Sequence, residues 1–226
     1  MAQLLDTSLF NDASLVSYWH FNASSSVDNK DSNNGTDTAI TYSAGNGQFG
    51  GVGAGFDGST SSISMGSPVN LAPATAISFV AWVNPTNFTP TYSSIVSYES
   101  EAPSLGYTLL IKSTGKLAIY INSPSISYDG TGANTLSTGT WYHLAFTYDG
   151  TTLRGYVNGV EDANAAGTGS MGDPTDNFFL GKSHFASRLF TGAIEDPAIF
   201  SRALTANEVL TLYNPLVGRA LPFLTY

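Results

Sequence analysis

The stretch Phe190-Thr-Gly-Ala-Ile-Glu-Asp-Pro-Ala-Ile-Phe-Ser-Arg-Ala-Leu-Thr-Ala-Asn-Glu-Val209 decides the fold. It reads as one long strand followed at once by a short helix. Thr205 stands three residues before Glu208, the spacing of a capping box, in which hydroxyl and carboxylate each satisfy a backbone N–H at the helix start. Leu204 and Val209 flank that cap as a hydrophobic staple. Upstream, Asp149-Gly150 and Asn158-Gly159 sit between strand-like runs, and both dipeptides tolerate the positive φ angles of tight hairpin turns. They link strands near 141–148, 152–158 and 160–165 into a meander.

Working outward, the dominant period is two. Ile77, Phe79, Ala81 and Val83 share one face of a strand, while Ser78, Val80 and Trp82 share the other. Leu105, Tyr107, Leu109 and Ile111 form a second stripe. Ser113-Thr-Gly115 then turns the chain into 116–122, where Leu117, Ile119 and Ile121 alternate again, a hairpin pattern. Further strands are expected near 15–21, 51–57, 60–66, 93–99, 177–182 and 190–200. Residues 24–47, rich in Asn, Asp and Gly, read as a surface loop. The expected fold is all-β: an antiparallel two-sheet β-sandwich with one short helix near 205–213. No composition shift divides 15–213, so it is one domain between an N-terminal arm, 1–14, and an apolar tail, 214–226.

The 226-residue chain carries a net charge of −9 and only 8 Lys plus Arg, which argues against binding a phosphate backbone. With no cysteine, disulfides and thiol catalysis are excluded and the core alone must stabilise the fold. No apolar run approaches the ~20 residues of a membrane helix, so membrane insertion is not expected. Met1-Ala-Gln-Leu-Leu-Asp lacks the basic and apolar regions of a signal peptide. The expectation is a leader removed from this sequence, or release without classical secretion, as in phage lysis. In the tail, Leu216, Val217, Leu221, Pro222, Phe223, Leu224 and Tyr226 are too apolar to stay solvated, and Leu4, Leu5, Leu9 and Phe10 suggest the same of the other end. Oligomeric or assembly contact through the ends is the expectation, with an intramolecular clasp as the alternative.

Trp141-Tyr-His-Leu-Ala-Phe-Thr-Tyr-Asp-Gly, Leu153-Arg-Gly-Tyr-Val-Asn-Gly-Val160 and the quoted 190–209 stretch together resemble the closing half of a laminin-G-like, concanavalin-A-like jelly roll. Leu15-Val-Ser-Tyr-Trp-His-Phe-Asn22, Asp31-Ser-Asn-Asn-Gly35, the run from Phe49 to Met65, and Ile77-Ser-Phe-Val-Ala-Trp-Val83 resemble its opening half in the same order. The resemblance covers roughly 15–213. It implies a recognition module for glycan or protein, often with calcium at the rim, found on phage particles and adhesins. The family often has Asp-Glu where this chain has Glu195-Asp196.

Calcium takes six to eight oxygen ligands. The candidates are Asn22, Asp28, Asp31, Asp57, Glu195 and Asp196, with the site expected where the Asn22–Asp31 region meets Glu195-Asp196. The competing reading of that region is a turn-rich loop capped by Asx hydrogen bonds. Residues 28–37 fail the EF-hand spacing, because Gly35 falls one position late. Glycosidases need two carboxylates across a cleft. The Glu-x-Asp-x-x-Glu strand of hydrolases on this fold is missing here, and the adjacent Glu195-Asp196 should point to opposite faces of a strand. No enzymatic activity is expected. His20, His143 and His184 show no zinc spacing and read as structural. Tyr98, Tyr120 and Tyr128 are the candidate ligand-stacking residues, while Trp82 and Trp141 occupy positions that are usually core in the family. The expected function is non-catalytic glycan recognition at an extracellular or virion surface, a lectin or adhesion role with calcium as the candidate cofactor. The alternative is a structural role as a phage decoration or appendage protein.

Overall fold

The computed structural model describes residues 7–21, 23–48, 51–73, 75–101, 104–121, 126–185 and 187–214. The chain begins with α1 (Thr7–Phe10), β1 (Leu15–Tyr18), β2 (Thr36–Thr38), β3 (Thr41–Ser43), β4 (Gly53–Asp57) and β5 (Ser62–Gly66). Then follow β6 (Ile77–Pro85), β7 (Tyr92–Glu101), β8 (Ser104–Lys112), β9 (Leu117–Ile121) and β10 (Ile126–Asp129). The meander is β11 (Tyr142–Tyr148), β12 (Thr152–Val157) and β13 (Val160–Ala166). The chain ends with β14 (Phe178–Leu180), β15 (Thr191–Phe200) and α2 (Ala206–Tyr213).

Two antiparallel sheets stack into a sandwich. The first runs β13-β12-β11-β6-β15-β4-β3, with β1 also beside β15; the second runs β10-β9-β8-β7-β14-β5-β2. The alternating stripes read in the sequence meet between them. Ile77, Phe79, Ala81 and Val83 of β6 and Tyr107, Leu109 and Ile111 of β8 lie in one buried core. The opposite face of β6 is apolar for a different reason. Val80, with Ala145, Tyr156, Ala198 and Phe200, receives Leu204, Val209 and Leu212 from around α2 and Leu9 from α1. Each such buried aliphatic side chain contributes roughly 1.5–3 kcal/mol.

The capping box forms as spelled: the Glu208 N–H donates to Thr205 Oγ1 at 3.3 Å, and the Thr205 N–H donates to the Glu208 carboxylate at 2.7 Å. Arg202 then ties the chain ends together, donating to Asp12 Oδ2 at 2.5 Å and to Glu208 Oε1 at 2.6 Å. Leu9 is buried and Phe10 packs on the same cluster, so this part of the N-terminal arm folds back on the sandwich. Leu4, Leu5 and the apolar residues Leu216–Tyr226 lie outside the described residues.

Three strands escape the sequence reading. The stretch taken for a surface loop contains β2 and β3, and β10 follows residue 125. The side chains of Thr36, Asp37 and Thr38 are all exposed, so β2 shows no alternation of apolar and polar residues. Among the described residues, no helix is long and apolar enough to cross a membrane.

Candidate functional site

The five described candidates for metal ligation are dispersed into separate tasks, and Asn22 lies outside the described residues. Asp28 is buried and saturated. Its Oδ1 accepts from the Tyr18 and Lys30 N–H groups at 3.1 and 2.9 Å, and its Oδ2 from Ser17 Oγ and the Asn33 N–H at 2.8 and 3.2 Å. It organises its loop as an Asx cap, the competing reading of that region. Asp31 is exposed and accepts from Asn70 Nδ2 at 3.1 Å. Asp57 caps the 58–61 turn, accepting the N–H groups of Ser59, Thr60 and Ser61 at 2.8–2.9 Å. Beside it, a cleft of about 320 Å³ opens between Thr41, Asn46, Asn84 and Thr86.

Glu195 and Asp196 sit at a joint in the first sheet. One side of β15 faces β4 through residues 191–194 and β1 through residues 198–200, and the two acids lie between. A bulge opens there, with Asp196 at φ 51°. It corrects the expectation that the two acids point to opposite faces. Glu195 lies opposite Trp82, whose ring meets Tyr213 of α2, while Asp196 Oδ1 meets His20 Nδ1 at 2.6 Å. His20 in turn stacks on Tyr18, a member of the helix-side core, so both carboxyls are on the helix side. The Gln48 N–H donates to Glu195 Oε2 at 2.6 Å. Burial pushes Glu195 up to about 7 against that hydrogen bond, and the Asp196 charge adds to the rise. Burial likewise raises Asp196, and the Asp196 contact raises His20. Among the described residues no three His, Asp or Glu side chains converge as a metal site. Asp28 and Asp57 spend their oxygens on hydrogen bonds of their own loops, and His20 meets one oxygen of Asp196.

The ligand-stacking candidates divide by strand parity. Tyr98 and Tyr128 are core residues with 0% and 2% exposure, so neither ring has a face for a ligand. Their hydroxyls are turned to local partners, Tyr98 to the Pro68 carbonyl and Tyr128 to the Asp162 carboxylate. Tyr120 lies on the solvent side of the second sheet. There a cross-strand row runs Ser127, Tyr120, Thr108, Ser97, Phe179, Ser64, Thr36 over six successive pairings. Tyr120 and Phe179 stand three strands apart, roughly 14 Å at the usual strand spacing. Thr108 and Ser97, which lie between them, are buried.

Residues 182–185 and 187–189 lie over the middle of this row. The Ser94 N–H donates to the Arg188 carbonyl at 3.2 Å, and the Arg188 guanidinium sits over the rings of Tyr92 and Phe185 at 5.3 and 4.3 Å. Lys182 lies over Phe179 at 5.2 Å. His184 Nδ1 and Arg188 Nη1 face Glu99 Oε1 at 3.6 and 3.7 Å. A cleft of about 310 Å³ opens alongside, lined by Thr175, Asp176, Asn177, Phe179, Lys182 and His184. Amide, hydroxyl, imidazole and ammonium groups around an aromatic ring suit a polyhydroxylated ligand with an apolar face. The alternation rule had no means of finding Phe179, His184 or Arg188, because β14 has three residues and the others belong to a loop.

A family model described as the concanavalin A-like lectin/glucanases superfamily matches residues 57–210. No curated protein is similar enough to match the chain. Among solved structures, domain 4 of AbnA, an extracellular arabinanase from Geobacillus stearothermophilus, in complex with arabinotriose, is 25% identical with a TM-score of 0.71, covering 90% of this chain and all of that one. The binding domain of Paraclostridial Mosquitocidal Protein 1 is 15% identical with a TM-score of 0.72, and covers 89% of this chain. The ligand binding domain of botulinum neurotoxin serotype D, in complex with N-acetylneuraminic acid, is 15% identical with a TM-score of 0.69, and covers 91% of this chain. The chain spans about half of each of these last two, 52%.

Proposed function

Because the chain belongs to the concanavalin A-like lectin/glucanases superfamily, we propose that it is a non-catalytic carbohydrate-binding module acting at an extracellular surface. The ligand face is the solvent side of the second sheet, and the ligand is a short neutral oligosaccharide. One observation carries this reading: the half-buried ring of Phe179 lines a cleft of about 310 Å³ whose other walls are Thr175, Asp176, Asn177, Lys182 and His184. Sugar rings stack their C–H faces on aromatic rings and direct their hydroxyls at neighbouring polar groups. The full-length similarity to an arabinanase domain in complex with arabinotriose supports the same ligand class. Calcium has no part in this proposal.

The test is calorimetry against a panel of neutral oligosaccharides, arabinotriose included, with Phe179→Ala as the control. We expect dissociation constants in the micromolar to millimolar range, a loss of about tenfold or more in Phe179→Ala, and no release of reducing ends on long incubation. The absence of binding to every panel member would sink the proposal, as would hydrolysis of any of them.

A further inference from the structure

We infer that Lys182 and Asp176 are the specificity-determining residues of this cleft, and that together they read two neighbouring hydroxyls of one sugar. The inference rests on the carbohydrate-binding reading given above. Both side chains line the cleft beside Phe179. Both residues are half-buried, and their charged ends stay open to solvent. Among the described residues neither makes a hydrogen bond or an ion pair, and they do not pair with each other. The backbone holds both in place. Gly181, at φ 75°, turns the chain directly after β14, and Lys182 comes back over the Phe179 ring with Nζ 5.2 Å from its centroid. A Cβ at Gly181 would run into the Phe56 ring, so the turn needs glycine. The Gly181 N–H donates to the Ile95 carbonyl, and the Gly181 carbonyl accepts from the Phe190 N–H, both at 3.0 Å. Asp176 is bracketed in a similar way, since Ser67 Oγ lies 3.3 Å from both the Thr175 carbonyl and Asn177 Oδ1.

An ammonium offers donors only, and a carboxylate acceptors only. The two charges cancel, in a chain whose net charge is −9. An acidic ligand would meet both Asp176 and that overall negative field. A neutral pair of hydroxyls answers both groups, because each hydroxyl is donor and acceptor at once. One accepts from Lys182 Nζ, and its neighbour donates to the Asp176 carboxylate. As a sugar settles on Phe179, the ammonium leaves the ring face for the edge of the sugar. A charge-assisted hydrogen bond outweighs a cation–π contact that is open to water, so the exchange favours binding. The ligand class is therefore a neutral sugar with two adjacent free hydroxyls.

The experiment is calorimetry against the neutral panel, arabinotriose included, and against trigalacturonic acid. It compares the wild type with Lys182→Met, Lys182→Arg, Asp176→Ala, Asp176→Asn and Phe179→Ala, with a melting temperature for each. Lys182→Met keeps an aliphatic stem against Phe179 and removes the donors; it should melt like the wild type and lose about tenfold in affinity. Asp176→Ala should lose about as much. Lys182→Arg restores donors and Asp176→Asn an acceptor, so each should stay within about threefold of the wild type. Wild-type affinity for the neutral ligand should change less than about twofold between roughly 0.05 and 0.5 M salt. If Phe179→Ala abolishes binding while Lys182→Met and Asp176→Ala bind like the wild type, the inference falls and the carbohydrate-binding reading stands. Equal losses in Lys182→Met and Lys182→Arg would also overturn it. So would tighter binding of trigalacturonic acid than of every neutral member, with an affinity that collapses in salt. If the wild type binds no oligosaccharide at all, both fall.

Discussion

His20 and Asp196 lie 176 positions apart and meet at 2.6 Å, closing the joint at which β15 exchanges β4 for β1. This contact places an ionisable cluster of Tyr18, His20, Glu195 and Asp196 inside the helix side of the sandwich.

The cluster makes stability depend on pH near neutrality. Glu195 rises from an ordinary carboxylate value to about 7 on folding. A group raised in the folded state supports folding at low pH, and that support is lost as pH rises through its folded value. His20 is also raised, so its loss has the same sign. We expect the melting temperature to fall between pH 5 and 8. Glu195→Gln keeps an oxygen for the Gln48 N–H and should flatten the profile, gaining on the order of 2–3 kcal/mol at pH 8. A mutant profile parallel to that of the wild type would refute the assignment.

Arg202 joins Asp12 of the arm to Glu208 of α2, and both carboxyls are held down at about 2, chiefly by that arginine. Depressed carboxylates stabilise the fold above their unfolded values, and the effect vanishes as pH falls toward 2. Arg202→Ala should cost roughly 2–3 kcal/mol at pH 7 in urea unfolding. The gap should close by pH 2. A gap that persists in acid would point to lost packing rather than to charge.

Calcium should leave the melting curve unmoved. Selective binding to the native state raises the melting temperature, yet Asp28 and Asp57 spend their oxygens on backbone N–H groups. Melting scans in EDTA and in millimolar calcium should coincide. A rise of several degrees with calcium would reinstate a site involving Asn22.

The tyrosines separate stability from recognition. Tyr98→Ala removes a ring that meets Tyr107 and Phe178 edge-on in the core, and should cost about 3–5 kcal/mol. Tyr120→Ala, on the solvent face, should cost about 1 kcal/mol or less while weakening oligosaccharide binding several-fold. The reverse pattern in thermal melts and calorimetry would place the ligand elsewhere.

Strand after strand was legible because half-buried strands alternate, and α2 because its cap is written in Thr205 and Glu208. What parity cannot supply is the face. On β7 both sides are buried, so Tyr98 looked as available as its neighbours; only its pairing with Tyr107 reveals the core side. The bulge at Asp196 is likewise invisible, since a positive φ at aspartate has no mark in the sequence. The contact that the N-terminal segment makes with Asp196 comes from His20, a residue whose sequence surroundings gave no sign of it. His184 and Arg188 take their meaning from a loop laid across another strand, a long-range relation that no local pattern encodes.

The position of β15 bears on how the protein emerges from the ribosome. Its neighbours are β6, β4 and β1, so among the described residues the first strand has its place beside the last. Until about residue 200 leaves the exit tunnel, β1 and β4 lack their central template, and β6 exposes an unpaired edge to the cytosol. Long-range pairing of this kind slows folding and prolongs exposure to aggregation. Truncation anywhere before β15 should therefore abolish the fold rather than trim it, and chaperone demand should be greatest while β15 is still awaited.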